Sequence, residues 1–332
     1  MRKVLFISFL FIFSNLAIAQ TTWLSLDERN EQVPPVMVFE DNGLRGLSID
    51  YTFYGVLVSD REVDKTCYQL INIPGFGKLG DVGKPALPMR NYPIAVPIGA
   101  RVQVEIIRSE YKSFKDYLIH PALEPAKDGI DEEEPRFVLD EEFYNTDTFY
   151  PEDVVSAGNI RIMRGFHFTY ITFCPVQYNP AKKELRVYSH IEVRVTFMGG
   201  NAFIDPNQYS EDFARVFKNF VINGDNIKAQ GFLYKKMFGE IDTTMLIITH
   251  SDFSDAANKL AEWNTRKGNK AIVKTTTEIG STSVAIKQYV HNTYQNSTPK
   301  PEYLILLGDD DYVVSERYPG GTVSDLRYVC MD

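Results

Sequence analysis

The sequence of 332 residues is sparing with the side chains that most directly announce chemistry. Its three cysteines, Cys67, Cys174 and Cys330, lie far apart and form no C-x-x-C pair. Spacing therefore supplies neither a redox dithiol nor a thiolate zinc site. In an oxidising compartment two of the three can join, but nothing selects the pair, and otherwise all three read as small buried apolar residues. The five histidines, at 120, 167, 190, 250 and 291, include no H-E-x-x-H, which excludes the helical zinc-peptidase signature. Positive charge is in the minority, 35 Lys and Arg against 44 Asp and Glu, for a net charge of −9. A nucleic-acid partner is excluded on that ground, because no basic stripe is present to release counterions from phosphates.

Long apolar runs are also missing, except at the start. Arg2 and Lys3 precede VLFISFLFIF (4–13), and Ala17-Ile18-Ala19 forms a small-residue cleavage pattern before Gln20. The run is broken by Ser14 and Asn15 and is short for a bilayer span. Residues 1–19 thus read as a signal peptide, and the mature protein is expected outside the cytoplasm, secreted or at the cell surface. A lone G-x-G-x-x-G, GFGKLG (75–80), is followed by DVGKP rather than a helix. It reads as a turn, with no nucleotide cofactor implied.

What is present falls into two patterns. Residues 20–205 alternate apolar and polar side chains, with little that looks helical. In IEVRVTF (191–197), Ile191, Val193, Val195 and Phe197 share one face. RVQVEII (101–107) and LSIDYTFYGVLV (47–58) behave similarly, with turn clusters at 74–88 and 178–183 between strands. Short strands with polar turns predict an antiparallel, all-β sandwich-like region. DGIDEEEP (128–135) reads as a solvated loop. Residues 206–240 carry an amphipathic segment (211–223) and then a basic, aromatic stretch. They are expected to form an exposed linker or processing region.

From residue 241 to 332 the pattern becomes strand, helix, strand, helix, strand. TMLIIT (244–249) reads as a buried strand. Asp252 is the expected cap of a helix with Phe253, Ala256, Ala257, Leu260, Ala261 and Asn264 on one face, stopped by Gly268. KAIVKT (270–275) is the second strand, and Ser281 or Thr282 caps a helix presenting Ile286, Tyr289, Val290 and Thr293. YLILL (303–307) is the third strand, expected to be buried on both faces. This order requires parallel strands with right-handed crossovers, an α/β domain that three strands and two helices leave incomplete. The chain is accordingly expected to be a fragment of a longer precursor.

The third strand runs through Gly308 into Asp309, Asp310 and Asp311. Strand C-terminal ends are where ligands gather in open α/β sheets. His250, closing the first strand, lies at the same edge and is the histidine with a site hypothesis, against a surface or helix-flanking role. The aspartates offer hard oxygens for Ca2+, though without the D-x-[DN]-x-[DN]-G pattern. Loop solvation, hydrogen bonds to backbone amides and a charge pocket for a basic substrate side chain are the other readings. Cys330 has no following structure to position it as a nucleophile.

Taken together, the residues resemble a secreted cysteine peptidase of the gingipain type. In the second half the resemblance rests on the stretch from Met245 to Asn296, on PEYLILLGDDDYV (301–313) and on GGTVSDLRYVCMD (320–332). In the first it rests on residues 68–106, YLIHPALEP (117–125) and residues 174–197. It implies a propeptide that helps a caspase-like domain to fold and blocks its cleft, with the domain's own catalytic part or a related peptidase as partner. It places the family's catalytic His and Cys beyond Asp332: no histidine here aligns with the catalytic one, and Cys330 matches a position that is not the nucleophile. This chain alone is therefore expected to show no turnover. Lys235 and Lys236 become candidates for a processing site or pocket-filling residue, with Lys228 in reserve, against a reading as solvated linker lysines. The resemblance further implies the type IX secretion machinery of a Gram-negative bacterium as partner. Two alternatives are a secreted inhibitory or binding module without catalysis and a relative of the type IX sortase.

Overall fold

The computed structural model describes residues 21–27, 31–124, 136–205, 210–238, 243–297, 300–318 and 323–330. The expected signal peptide and the acidic stretch 128–135 lie outside them. The first half runs β1 (Thr22–Ser25), β2 (Val36–Asp41), β3 (Gly46–Thr52), β4 (Gly55–Val63), β5 (Thr66–Asn72), β6 (Gly77–Lys78), β7 (Pro88–Ala95), β8 (Arg101–Phe114), helix α1 (Glu141–Tyr144), β9 (Val155–Ala157), β10 (Arg161–Met163), β11 (Phe166–Phe173), β12 (Val176–Asn179) and β13 (Glu184–Met198). One sheet has the order β12-β13-β3-β2 with β8 also on β13; a second has β10-β11-β7-β6 with β9 on β11; β1-β4-β5 forms a third.

Period-2 alternation sets the sandwich. Ile191, Val193, Val195 and Phe197 point inward from β13 as expected, none more than 6% exposed. They join Leu47, Ile49 and Tyr51 of β3 and Tyr92, Ile94, Ile171 and Phe173 of the facing sheet in one core. The two sheets are tied where the hydroxyls of Tyr51 and Tyr92 meet at 2.7 Å and where Tyr51 lies edge-on to Phe173, centroids 5.3 Å apart. Burial pushes the Tyr51 phenol far above its ordinary range, and the Tyr92 hydrogen bond adds to the shift.

Three expectations are corrected. Residues 47–58 are two strands, not one, because the chain leaves β3 at Phe53 and enters another sheet as β4. Gly55 sits at that switch, where a Cβ would lie 2.5 Å from the Trp23 ring. β8 buries little, and Ile106 is 41% exposed, since β8 is an edge strand whose one partner among the described residues is β13. The region expected as a linker folds into α2 (Glu211–Phe220) and α3 (Asp225–Phe238). Ser210 caps α2, its hydroxyl accepting from the Phe213 amide. Ala214, Phe217, Val221 and Ile227 are buried in the β core.

In the second half, β14 (Thr243–Thr249) lies between β15 (Asn269–Thr275) and β16 (Pro301–Leu307), all parallel. Alternate residues of β14 face opposite layers. Leu246 and Ile248 meet Ile286 and Val290, and Met245 and Ile247 meet Ala257 and Leu260. The covering helices are α4 (Ser254–Arg266) and, after the single turn α5 (Thr276–Ile279), α6 (Ser283–Asn296); α7 (Leu326–Val329) follows β16. Thr282 caps α6, and Gly268, at φ +96°, follows α4, both as expected. Asp252 caps nothing: it lies inside a 3-10 turn, Ser251–Phe253, whose cap is His250. β16 is half-buried, not enclosed on both faces, and Tyr303 is 43% exposed. All three cysteines are free thiols, but Cys174 alone is buried, which pushes its pKa up to about 12.

Candidate functional site

Two places gather chemistry, at opposite ends of the parallel sheet. The first is the C-terminal edge. Thr249 and Leu307 are register partners, so the pairing of β14 with β16 brings His250 and the Asp309–Asp311 turn to one edge. The fully buried Thr249 hydroxyl fixes this by donating to the Leu307 carbonyl, 2.8 Å away. Gly308 has φ +142°, and a Cβ there would lie 3.2 Å from Tyr312 and Val313. The chain then turns, with the Asp309 carbonyl accepting from the Tyr312 and Val313 amides. Tyr312 packs edge-on to both His250 and Phe253, centroids 5.2 and 4.8 Å away.

The three aspartates do not converge. An Asp309 carboxylate oxygen accepts from the Asp311 amide at 3.2 Å. Asp310 accepts from the Ser315 amide at 2.7 Å and from the Arg317 guanidinium at 2.6 Å, and Asp311 is exposed. Among the described residues no group of three or more His, Cys, Asp or Glu is arranged to hold a metal ion. The donor set therefore does not fit Ca2+, which needs six or more converging oxygens, because the Asp310 oxygens are already engaged. His250 Nδ1 lies 3.3 Å from the Asp252 amide, which donates to it, and 3.4 Å from an Asp252 carboxylate oxygen. The edge thus presents an oriented imidazole and an acidic turn, with none of the three cysteines among these contacts.

The Ser315 amide, then the Arg317 charge, holds the Asp310 carboxyl below its ordinary value of 3.8. A depressed folded pKa means that the turn's stabilisation is present above 3.8 and is lost as pH falls through the lowered value. Protection of the Ser315 amide from hydrogen exchange is expected to drop across that acid window. In Asp310→Asn, whose side-chain oxygen still accepts but does not titrate, it should be flat across the window; a drop that persists in this variant would show that another group controls the turn.

The second place is the seam between the halves, at the other end of β16. The β10–β11 hairpin turns through Arg164 (φ +49°) and Gly165 (φ +79°), the left-handed geometry that suits a two-residue turn. From its tip the Arg164 guanidinium donates to the Pro301 carbonyl at 3.0 Å and the Glu302 carbonyl at 3.4 Å. It also lies over the rings of Phe213 and Tyr294, 5.7 and 5.9 Å from their centroids. The α2 N-terminus completes the contact, with Ser210 hydrogen-bonded to the Glu302 carboxylate and the Tyr303 hydroxyl donating to Asp212 at 3.2 Å. A cleft of about 830 Å3 opens beside it, lined by Ile162, Met163, His167, Val290, Tyr294 and Lys300 among others. The sequence reading missed this hairpin; the Arg164-Gly165 pair is the turn signal that could have found it, but nothing in the pattern says where the tip docks.

Lys228 is exposed on α3. Lys235 and Lys236 fall within the same helix, with side chains outside the described residues. The Cys330 carbonyl meets the His291 ring at 2.9 Å, and its thiol is exposed.

The described residues thus form a β-sandwich carrying two helices, docked through a hairpin tip on a parallel α/β sheet. Comparison with known proteins makes this specific. Residues 28–229 match the family model Propeptide_C25 and residues 240–332 match Peptidase family C25. The chain belongs to the gingipain-type C25 peptidases, as a propeptide region followed by the start of the peptidase region. It is 26% identical over 306 residues to Lys-gingipain of Porphyromonas gingivalis, covering 88% of this chain and 18% of that protein. It is 25% identical over 248 residues to Gingipain R2 of the same species, covering 73% of this chain and 33% of that protein. The chain thus spans less than a fifth of the Lys-gingipain it matches. Its fold is similar to that in a solved complex of Porphyromonas gingivalis RgpB pro- and mature domains, with TM-score 0.50, 23% identity, 59% of this chain covered and 100% of that one.

Proposed function

We propose that the chain is the propeptide and opening catalytic segment of a secreted gingipain-like cysteine endopeptidase. The β-rich region assists folding of the peptidase region and blocks its cleft until removed. The observation that carries this reading is the succession of the two family matches, 28–229 and then 240–332, on halves that touch through a defined seam. In the whole protein a cysteine thiolate, activated by histidine, attacks the peptide carbonyl. No nucleophile or base is assigned within this chain, and His250 with the Asp309–Asp311 turn is read as a wall of the catalytic edge.

Processing falls in or just after α3. Lys235 and Lys236 lie in the interval between the two matched regions, which supports them over Lys228. A peptidase binds extended chain, so cleavage there requires the end of α3 to open. The basic start, apolar run and small-residue pattern of residues 1–19 support export. Passage through the type IX machinery to the outer membrane or exterior of a Gram-negative cell follows from the family reading.

The test is to add the purified chain to the mature domain of a gingipain and follow peptide hydrolysis. The chain alone is expected to hydrolyse nothing and to slow the added enzyme in proportion to its concentration. An unchanged rate at micromolar chain would remove the cleft-blocking role.

A further inference from the structure

Of the five histidines, His120 is the one withdrawn from water, at 2% exposed. It sits in the middle of a strap, residues 117–122, that runs between β5 and the turn before β7. On one side the His120 amide donates to the Gln69 carbonyl at 3.0 Å, and the Gln69 amide donates to the Leu118 carbonyl at 2.7 Å. On the other, the Ala86 amide donates to the His120 carbonyl at 3.0 Å and the Ala122 amide to the Lys84 carbonyl at 2.8 Å. The Tyr144 hydroxyl of α1 donates to the Ile119 carbonyl at 2.6 Å. The strap thus joins β5 of the third sheet to the turn that feeds the second.

The ring at its centre is built to stay neutral. Its Nδ1 lies 2.7 Å from the Pro121 carbonyl. A carbonyl can only accept, so Nδ1 carries the proton of the neutral imidazole. Nε2 is then a bare lone pair, buried and without a partner. The ring stands edge-on to Tyr68 of β5 and to Phe137, centroids 5.8 and 5.4 Å away. Among the described residues the charges acting on it are Arg61 from β4 and Lys78 from β6, both cations. On the turn, Lys84 and Asp81 pair with each other at 3.6 Å. A proton on Nε2 would place an N–H without an acceptor in the core and a positive charge beside two others. We propose that the strap is an acid-sensitive clasp, which holds the second and third sheets together while His120 is neutral and opens when the ring takes a proton from solvent. It rests on the propeptide reading only for its biological use, as an acid signal that loosens the β-rich half; the opening itself is a property of the strap.

The direction of the response follows from the ring's surroundings. Burial, the largest cause, pushes the His120 pKa below 6.5; the Pro121 carbonyl opposes this, and Arg61 and Lys78 add to it. Opening releases the imidazole into water, where it regains its ordinary value, so the open strap takes up the proton first. The strap's stability is therefore fully present above 6.5 and is lost as pH falls from 6.5 through the lowered value. Carboxylates titrate lower, at ordinary values of about 4, and stay ionised over the upper part of that window. His167, whose pKa burial also depresses, lies in the cleft at the seam and titrates in an overlapping window, so the two histidines are tested separately.

The experiment follows hydrogen exchange of the full chain at the Ala86 and Ala122 amides from about pH 7.5 to about pH 5.5, corrected for the intrinsic pH dependence of exchange. Protection in the native chain is expected to fall about fivefold or more across that range. His120→Phe keeps a ring between Tyr68 and Phe137, and His120→Asn keeps a donor for the Pro121 carbonyl; both should be flat. His167→Phe should retain the native fall. Lys78→Met should raise the pKa read from the His120 imidazole resonance and shrink the fall. Near-UV circular dichroism at about pH 7.5 checks that each variant is folded. A native His120 resonance that titrates at or above 6.5, or a fall that persists in a folded His120 variant, overturns the clasp. If neither His120 variant folds, the native His120 titration and the response to Lys78→Met decide the question. A strap that opens with acid in a chain that fails to slow a gingipain would leave the clasp standing and remove only the cleft-blocking role.

Discussion

Replacing Phe217 with alanine is expected to destabilise the β-rich half by about 3–5 kcal/mol, the range for truncating a fully buried aromatic in a packed core. Phe217 is 0% exposed. Its ring lies 4.7 Å from that of Phe166 and 6.1 Å from those of Phe168 and Phe220. α2 has ten residues, too few to be stable by itself, so its existence depends on docking. Truncation both leaves a cavity under the helix and releases the helix from the sheet. Because α2 also carries Ser210 and Asp212, the variant should loosen the contact with β16 as well. Urea unfolding of native and substituted chains measures the first effect, and hydrogen exchange at Tyr303 the second. A loss below 1 kcal/mol would mean that α2 is not seated as described.

The sequence-based expectations that succeeded concern which face of an element is buried. The alternation in β13 and the unbroken apolar run of β14 each imply a face or faces to cover, and the structure covers them. Those that failed concern which partner does the covering. LSIDYTFYGVLV keeps its alternation while crossing from one sheet to another at Phe53, and a period cannot report a change of sheet. The amphipathic pattern of 211–223 was legible, but whether its apolar stripe meets the core or stays as an exposed connection depends on residues far away in sequence. The turn α5 was also missed, although Thr275 and Glu278 form a capping box there, each side chain meeting the other's backbone amide. The pattern put His250 and the aspartates at one edge of the parallel sheet, and the register of β14 with β16 does the same. Asp310 accepts from the Ser315 amide, one of the alternatives read from the sequence, whereas its contact with Arg317, which arrives from beyond the turn, had no sequence signal. Arg164 was invisible because its acceptors are main-chain carbonyls, which any sequence supplies.

The same long-range dependence makes Asn223 the second residue with a large expected effect. β6 pairs with β7 only at Pro88 and Met89, so the far end of β7 would present an open edge. The segment after α2 closes it. The Ile222 amide donates to the Pro93 carbonyl at 2.9 Å. The Asn223 side chain accepts from the Ala95 amide at 2.7 Å and donates to the Ala95 carbonyl at 3.0 Å. Ala95 is 0% and Asn223 1% exposed, so water cannot substitute. Asn223→Ala should leave one buried donor and one buried acceptor unmatched, at about 1–3 kcal/mol each, for a total of about 2–6 kcal/mol. Asn223→Asp discriminates the cause, because it preserves volume and the acceptor but replaces the donor with a buried charge facing the Ala95 carbonyl. If the hydrogen bonds matter, Asn223→Asp should be at least as destabilised as Asn223→Ala in urea unfolding at pH 7. If packing alone matters, Asn223→Asp should remain close to native. The first outcome would make the helical segment an integral edge of the sandwich, so the β-rich unit ends after Asn223 and the place to cut it free lies further along the chain.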